Sequence, residues 1–345
     1  MGQYTTLSKG STMLITGVNG LVGSHCADQA LQHGYKVRGT TRSLDKNKWL
    51  LEVFGNKYGT AVFELVEVKD MQQPGAFDEA MQGCSAVMHT ASVITFEPDP
   101  DKVIHPTLKG VREILRAASK TPSVRRVVYT SSQAALCTTT EKVLTVTQNT
   151  WNDTAVTLVT DPAQFAAVPD NAKGLITYCA SKVLAEKACW EFVRQEKRHF
   201  TLNSVVPNFN TGPSIYPTQP ASSSGYVKAA FLGDEKALGL LNMLGPMNYI
   251  DVRDDGRLHL AAAVFDDVHD ERIWGMAGDW NVHDMMEVFE EVDSNWKDVK
   301  RPEGNARDQT IYDRSRSVEL LKRLGCDGFT SFEQSVRANL SGMSV

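Results

Sequence analysis

Two periods alternate along the first third of the chain, and the switching between them predicts the fold. Met13-Leu14-Ile15 reads as the end of a short buried strand. Val22, Cys26, Ala27, Ala30 and Leu31 then recur at helical spacing, so the next helix buries one face, and Gly34 ends it. Residues 35–41 predict a second strand, and 43–58 a second helix with Leu44, Trp49, Leu50, Leu51 and Phe54 inward. A third strand follows over 61–68, a short helix over 77–81 and a fourth strand over 85–89. Residues 106–119 predict a longer helix with Leu108, Val111, Ile114, Leu115 and Ala118 on one side, and 124–130 a fifth strand. Such alternation defines the α/β class: a Rossmann-type, doubly wound parallel sheet with right-handed crossovers. Ligands of these sheets lie at the carboxyl ends of the strands.

Between 132 and 175 the period is lost. Thr138-Thr139-Thr140, Thr145, Thr147 and Asp161-Pro162 predict an exposed excursion with a small helix around 161–167, either a lid or plain surface. Residues 178–196 read as a helix and 202–206 as a sixth strand. Beyond Pro207 the chain becomes rich in Pro, Gly and Ser (Gly212-Pro213, Pro217, Pro220, 222–225), which marks a smaller lobe. Helices are expected there over 225–231, 253–265, 282–289, 315–324 and 331–340.

Composition narrows the function classes. A net charge of −5 without a Lys/Arg-rich block excludes nucleic acid as the main partner. No apolar run approaches the ~20 residues of a membrane span, so no membrane partner is expected. Six scattered cysteines without a C-x-x-C pair read as reduced thiols of an intracellular, cytoplasmic protein. Gly2 and Thr6 fit a loose myristoylation pattern, and an unmodified N-terminus is expected. The eight histidines show no H-x-x-x-H, so no metal is expected, and there is no Gly-x-Ser-x-Gly elbow. His89, closing strand four, is expected to be structural.

Three stretches carry chemistry. Gly17, Gly20 and Gly23 make a turn running from the first strand into the first helix, whose unpaired N–H groups favour a phosphate. Tyr178 and Lys182, spaced by one helical turn, share a face; an adjacent ammonium favours phenolate and lowers the tyrosine pKa, which suits a proton donor to a carbonyl. The fifth strand ends in Ser131-Ser132, where one hydroxyl can stabilise charge on a carbonyl oxygen while the other only caps the strand.

With these three features, the chain resembles the short-chain dehydrogenase/reductase superfamily. The Thr16-Gly17-x-x-Gly20-x-x-Gly23 spacing is that of its extended branch. Residues 34–43, His89-Thr90-Ala91-Ser92, Lys109-Gly110-Val111 and Tyr249-Ile250-Asp251-Val252-Arg253-Asp254 look like the dihydroflavonol-4-reductase-like group, nearest to fungal NADPH-dependent aldehyde, ketone and methylglyoxal reductases. The likeness covers nearly the whole chain and is weakest over 138–175 and after about residue 270. It implies a catalytic triad of Ser132, Tyr178 and Lys182. It also implies that Gly17, Val18, Asn19, Gly20, Leu21 and Val22 cradle the pyrophosphate, with Asp70 and Met71 beside the adenine. Ala91 and Ser92 would lie beside the ribose and nicotinamide, and Pro207 would pack on the nicotinamide; Tyr178 and Lys182 also face the cofactor. The 46 residues from Ser132 to Tyr178 are more than is usual in this group, so substrate preference does not transfer.

The end of strand two, Thr40-Thr41-Arg42-Ser43, has no acid for the ribose hydroxyls of NAD. Arg42 instead offers a fork for the 2′-phosphate of NADP, with Lys46 as a second cation. The expected division is an NADP-binding Rossmann domain over 1–206, with the excursion at 138–175, and a mostly substrate-binding lobe over 207–345, interleaved with the first. The expected function is NADPH-dependent reduction of a small-molecule aldehyde or ketone, with apolar carbonyls favoured over sugars. Two alternatives stay open: an NAD-retaining nucleotide-sugar epimerase or dehydratase, and a non-catalytic NADP sensor. Phe96, Gln133, Phe165, Tyr216 and the 222–226 loop are candidates for the substrate pocket. Oligomeric state, monomer or homodimer, is not decided.

Overall fold

Strand β1 (Thr12–Thr16) has four of its five residues buried, and the chain winds outward from it on both sides. The computed structural model describes residues 5–93, 95–138, 143–219, 222–304 and 306–341; Gly2, Thr139, Thr140 and Pro220 lie outside them. Helix α1 (Leu21–Gln32) leads to β2 (Lys36–Thr41), α2 (Leu44–Asn47), α3 (Trp49–Tyr58), β3 (Phe63–Glu67) and β4 (Cys84–His89). Then come α4 (Pro100–Lys120), β5 (Arg126–Thr130), β6 (Leu144–Thr145), α5 (Asp153–Thr160), α6 (Pro162–Ala167), α7 (Asp170–Gln195) and β7 (Thr201–Pro207). The remainder is β8 (Phe209–Thr211), α8 (Ser223–Phe231), α9 (Glu235–Leu244), β9 (Met247–Asp251), α10 (Val252–Val264), β10 (Arg272–Gly275), β11 (Gly278–Trp280), α11 (Val282–Val292), β12 (Thr310–Ile311), α12 (Ser315–Arg323) and α13 (Phe332–Leu340).

Seven strands form one sheet in the order β10-β7-β5-β4-β1-β2-β3, every pair parallel. The winding direction reverses between β1 and β4, which opens a crevice at their carboxyl ends. One face is covered by α1 and α10 over a core that includes Ile15, Val37, Met88 and Leu260; the other by α4 and α7 over Leu14, Val87, Val127 and Leu202. This is the Rossmann-type doubly wound sheet that the alternation predicts. A second sheet, β11-β9-β8, packs with α8, α9, α11 and α13 around Phe209, Trp280 and Phe289.

The structure departs from the sequence expectations at definite places. The helix expected over 43–58 is two helices, and Leu44 and Leu51 are 37% and 44% exposed rather than inward. Residues 77–81 make turns, because so short a segment cannot offset helix nucleation. Helix α4 starts at Pro100, capped by the Asp99 carboxylate on the Asp101 N–H, so Pro106 lies inside the helix and not at its head. Helix α7 begins eight residues before Tyr178. The excursion is docked on the molecule: α5 packs along α7, and β6 pairs in parallel with β12.

Candidate active site

Two glycines of the turn, Gly17 and Gly23, have separate steric duties. Gly17 has φ +64°, and a Cβ there would sit 3.1 Å from the Ala91 Cα. A Cβ on Gly23 would lie 2.5 Å from the Gly17 carbonyl oxygen and 2.8 Å from Thr90 Oγ1. The ends of β1 and β4 are locked together underneath. Thr16 Oγ1 is hydrogen-bonded to His89 Nδ1 at 2.9 Å and accepts from the Ala91 N–H at 3.1 Å, while Thr90 Oγ1 donates to the Thr16 carbonyl. Burial pushes the His89 imidazole down to about 3, so it is neutral and structural. Helix α1 opens at Leu21 with no side chain capping it and no acid in its first turn. The N–H groups of its first turn suit an anion, so the turn from Gly17 to Val22 fits a pyrophosphate at this helix end, although the Val18 and Gly20 N–H groups already donate to the carbonyls of Thr40 and Gly17.

Two features of this cradle escaped the sequence reading. Gly39 on β2 admits Val18, since a Cβ there would approach Val18 Cγ1 to 2.5 Å. Gln219, buried and about 200 positions downstream, donates to the carbonyls of Asn19 (3.3 Å) and Gly20 (3.0 Å) and to Ser24 Oγ (2.6 Å). No periodicity or motif marks it.

At the end of β2, Asn47 Nδ2 donates to Thr41 Oγ1 at 2.7 Å and to the Ser43 carbonyl at 3.0 Å, holding the turn that carries Arg42. Arg42 and Lys46 are exposed. Neither is ion-paired among the described residues, so both cations are available to a phosphate. Asp70, after β3, accepts from Gln73 and from the Gln72 N–H, which hold its carboxyl below the usual range. Met71 packs on Gly110 of α4. Ala91 and Ser92 follow β4 and are half-buried, and Pro207 ends β7 against Gly275 of β10.

Ser132, Tyr178 and Lys182 come together at the carboxyl end of β5. The Ser132 hydroxyl lies beside the Tyr178 phenol, near enough to favour its ionised form, and its Oγ accepts from the Ala134 N–H at 3.2 Å. Lys182 is buried, and its ammonium donates to the Thr130 carbonyl at 3.4 Å. The expectation of an acidified phenol is corrected here. Although Tyr178 keeps some contact with solvent, burial pushes the phenol up to about 12, with the neighbouring Ser132 hydroxyl pulling the other way. Lys182 is turned to Thr130, and burial pushes it down to about 8 against the pull of Glu186. Ser131 does more than cap its strand: its hydroxyl donates to buried Glu186 at 2.6 Å.

Of the pocket candidates, Phe96 meets the site. Its ring is 53% exposed and lies edge-on to Tyr178 with centroids 5.7 Å apart. Gly174 on α7 makes room for it, because a Cβ there would collide with the Phe96 carbonyl. The other candidates are engaged elsewhere. Gln133 is buried and donates to Cys137 Sγ, Phe165 on α6 meets the Lys173 ammonium, and Tyr216 stacks on Trp49 at 4.9 Å. Residues 223–226 are the first turn of α8 rather than a loop. Among the described residues no group of three His, Cys, Asp or Glu is placed to hold a metal ion, and no helix is long and apolar enough to cross a membrane.

A parallel sheet with an anion cradle after its first strand and a Ser–Tyr–Lys cluster at the carboxyl end of β5, one strand beyond the switch point, defines a dinucleotide-dependent enzyme fold. The chain belongs to the NAD dependent epimerase/dehydratase family, the extended short-chain dehydrogenases/reductases, whose model matches residues 13–155. It is 37% identical over 336 residues to aldehyde reductase 2 of Sporidiobolus salmonicolor, covering 96% of this chain and 95% of that one. It is 35% identical to the NAD-dependent epimerase/dehydratase terH of Aspergillus terreus, with 94% and 95% covered. Its fold is similar to that of yeast methylglyoxal/isovaleraldehyde reductase Gre2 complexed with NADPH, with a TM-score of 0.73, 28% identity and coverage of 96% and 97%.

Proposed function

We propose that this chain is an NADP-dependent oxidoreductase that reduces a small-molecule aldehyde or ketone to the alcohol. The observation that carries the reading is the gathering of the Ser132 hydroxyl, the Tyr178 phenol and buried Lys182 at the carboxyl end of β5. Bound NADPH supplies the hydride. Ser132 polarises the carbonyl oxygen, and Tyr178 gives its proton to that oxygen as negative charge builds on it. A phenol held at about 12 stays protonated throughout the neutral range, which is the form a donor must have. An alkoxide is a stronger base than a phenolate, so the transfer still runs downhill. Lys182 holds the nicotinamide ribose and keeps positive charge near the phenol. Residues 1–206 would carry the cofactor and 207–345 most of the substrate contacts. Phe96 beside Tyr178 favours apolar carbonyls over sugars.

The direct test is NADPH consumption against a panel of aldehydes, ketones and diketones with product chirality recorded. Oxidation with several members is expected. No oxidation across the panel would favour the sensor reading, and NAD retained through purification would favour the epimerase or dehydratase.

The cofactor choice rests on Arg42. Arg42→Ala should raise the KM for NADPH at least about tenfold, the loss of one charge-assisted hydrogen-bonded contact, and leave that for NADH nearly unchanged. Equal effects on both, measured by initial rates, would count against a 2′-phosphate contact. A further expectation concerns pH. Because the ammonium of Lys182 is the required form and burial lowers it to about 8, kcat/KM should fall as pH rises through that value. A profile flat as far as the ordinary lysine value of 10.5 would contradict the role given to Lys182.

A further inference from the structure

Tyr178, Lys182 and Glu186 follow one another at four-residue intervals along α7, and the third has no part in the chemistry above. Glu186 is fully buried, and five donors converge on its carboxylate. Oε2 accepts from Ser131 Oγ at 2.6 Å and Arg272 Nη2 at 3.0 Å. Oε1 accepts from Ser204 Oγ at 2.6 Å, Arg272 Nε at 2.8 Å and Trp190 Nε1 at 3.3 Å. One carboxylate thereby joins α7 to the end of β5, to β7 and to β10. Arg272 is itself held from the excursion. Its Nη1 donates to the carbonyls of Gln148 (3.1 Å) and Thr150 (2.8 Å), and its guanidinium lies over the Trp151 ring at 3.9 Å.

We propose that Glu186 is a positioning residue for the reductive site, and that residues 148–151 of the excursion buttress it through Arg272. The proposal rests on the reading of Ser132, Tyr178 and Lys182 as catalytic. Ser131 adjoins Ser132, so fixing the Ser131 hydroxyl on α7 fixes the strand end that presents Ser132 to Tyr178 on the same helix. The excursion is then a brace behind the catalytic helix. Glu186 also acts on Lys182 by charge, favouring its ammonium form. The other groups facing Lys182 supply no such charge. His89 from β4 is neutral, and burial keeps Tyr129 from β5 and Cys189 from α7 protonated.

A purely structural ion pair would change stability and nothing else. The test compares Glu186→Gln, Arg272→Lys, Arg272→Met and Trp151→Ala with wild type, using Tyr178→Phe as reference, on protein checked by circular dichroism and thermal melting. In Glu186→Gln, kcat should fall about tenfold or more, since small misplacements of reacting groups cost that much, while NADPH affinity stays within about threefold. Its alkaline limb of kcat/KM should move roughly one unit to lower pH, because without the neighbouring carboxylate Lys182 loses its proton more readily. Arg272→Lys, which keeps the charge and loses the fork, should recover part of kcat relative to Arg272→Met. Trp151→Ala should lower kcat with the KM for NADPH unchanged. A Glu186→Gln enzyme with wild-type kcat and alkaline limb would overturn the proposal. If that variant does not fold, wild-type kcat in both Arg272→Lys and Trp151→Ala would overturn it. Turnover retained by Tyr178→Phe would remove the catalytic reading itself, and the positioning role with it.

Discussion

Tyr178→Phe should lower turnover by about three orders of magnitude, the scale of a positioned general acid, and leave NADPH affinity within about twofold. The substitution removes one oxygen and little else. Phenylalanine retains the ring that meets Phe96 edge-on and the helix face that packs beneath it. It deletes the donor that Ser132 orients and the only proton that the proposed mechanism delivers to the nascent alkoxide. The pKa shift sharpens the expectation. Because burial holds the phenol at about 12, wild-type turnover should show no loss from phenol ionisation through the neutral and mildly alkaline range. Steady-state NADPH oxidation gives the rate, and quenching of tryptophan fluorescence on titration gives the affinity. Turnover within tenfold of wild type would remove Tyr178 as proton donor, whatever the cofactor binding.

Local signals in the chain announce the scaffold of this site, and distant pairings complete it. Gly17, Gly20 and Gly23 announce the cradle because the constraint on each lies within a few residues and one strand end. The spacing of Tyr178 and Lys182 likewise announces a shared helix face. It says nothing of how deeply that face is buried, and burial reverses the expected direction of the phenol shift. The edge strand β10, Arg272–Gly275, is invisible to periodicity because it is four residues long and opens with an arginine. That arginine is tolerable in a sheet only because Glu186, 86 positions earlier, neutralises it. Gln219 is hidden for the same reason, since two of its partners are carbonyls of the cradle without a side-chain signature and the third, Ser24, lies 195 positions away. Helix α10 is legible as an element, but nothing in its own residues says that it crosses back to lie on the sheet beside α1.

The second large effect belongs to Gly23. A methyl group there would sit 2.5 Å from the Gly17 carbonyl oxygen, 2.8 Å from Thr90 Oγ1 and 3.1 Å from the Gly17 carbonyl carbon. None of these can yield locally. Gly17 is pinned in a positive-φ turn against Ala91, and the Thr90 hydroxyl is committed to the Thr16 carbonyl. Helix α1 must therefore move away from the loop and carry its open N–H groups off the phosphate position. Gly23→Ala should weaken NADPH binding by about a hundredfold, equivalent to ~2.7 kcal/mol, and destabilise the fold by about 1–3 kcal/mol through overpacking. Gly20→Ala is the matched control. Its φ is −75°, and its new methyl would meet only the Gly17 carbonyl oxygen, at 3.3 Å. A change of less than about fivefold in NADPH affinity, under ~1 kcal/mol, is expected there. Calorimetric titration of both variants separates the cases. Near-normal affinity in Gly23→Ala would mean that α1 and the loop can part without moving the phosphate donors, and the cradle would then owe its affinity to residues other than the helix terminus.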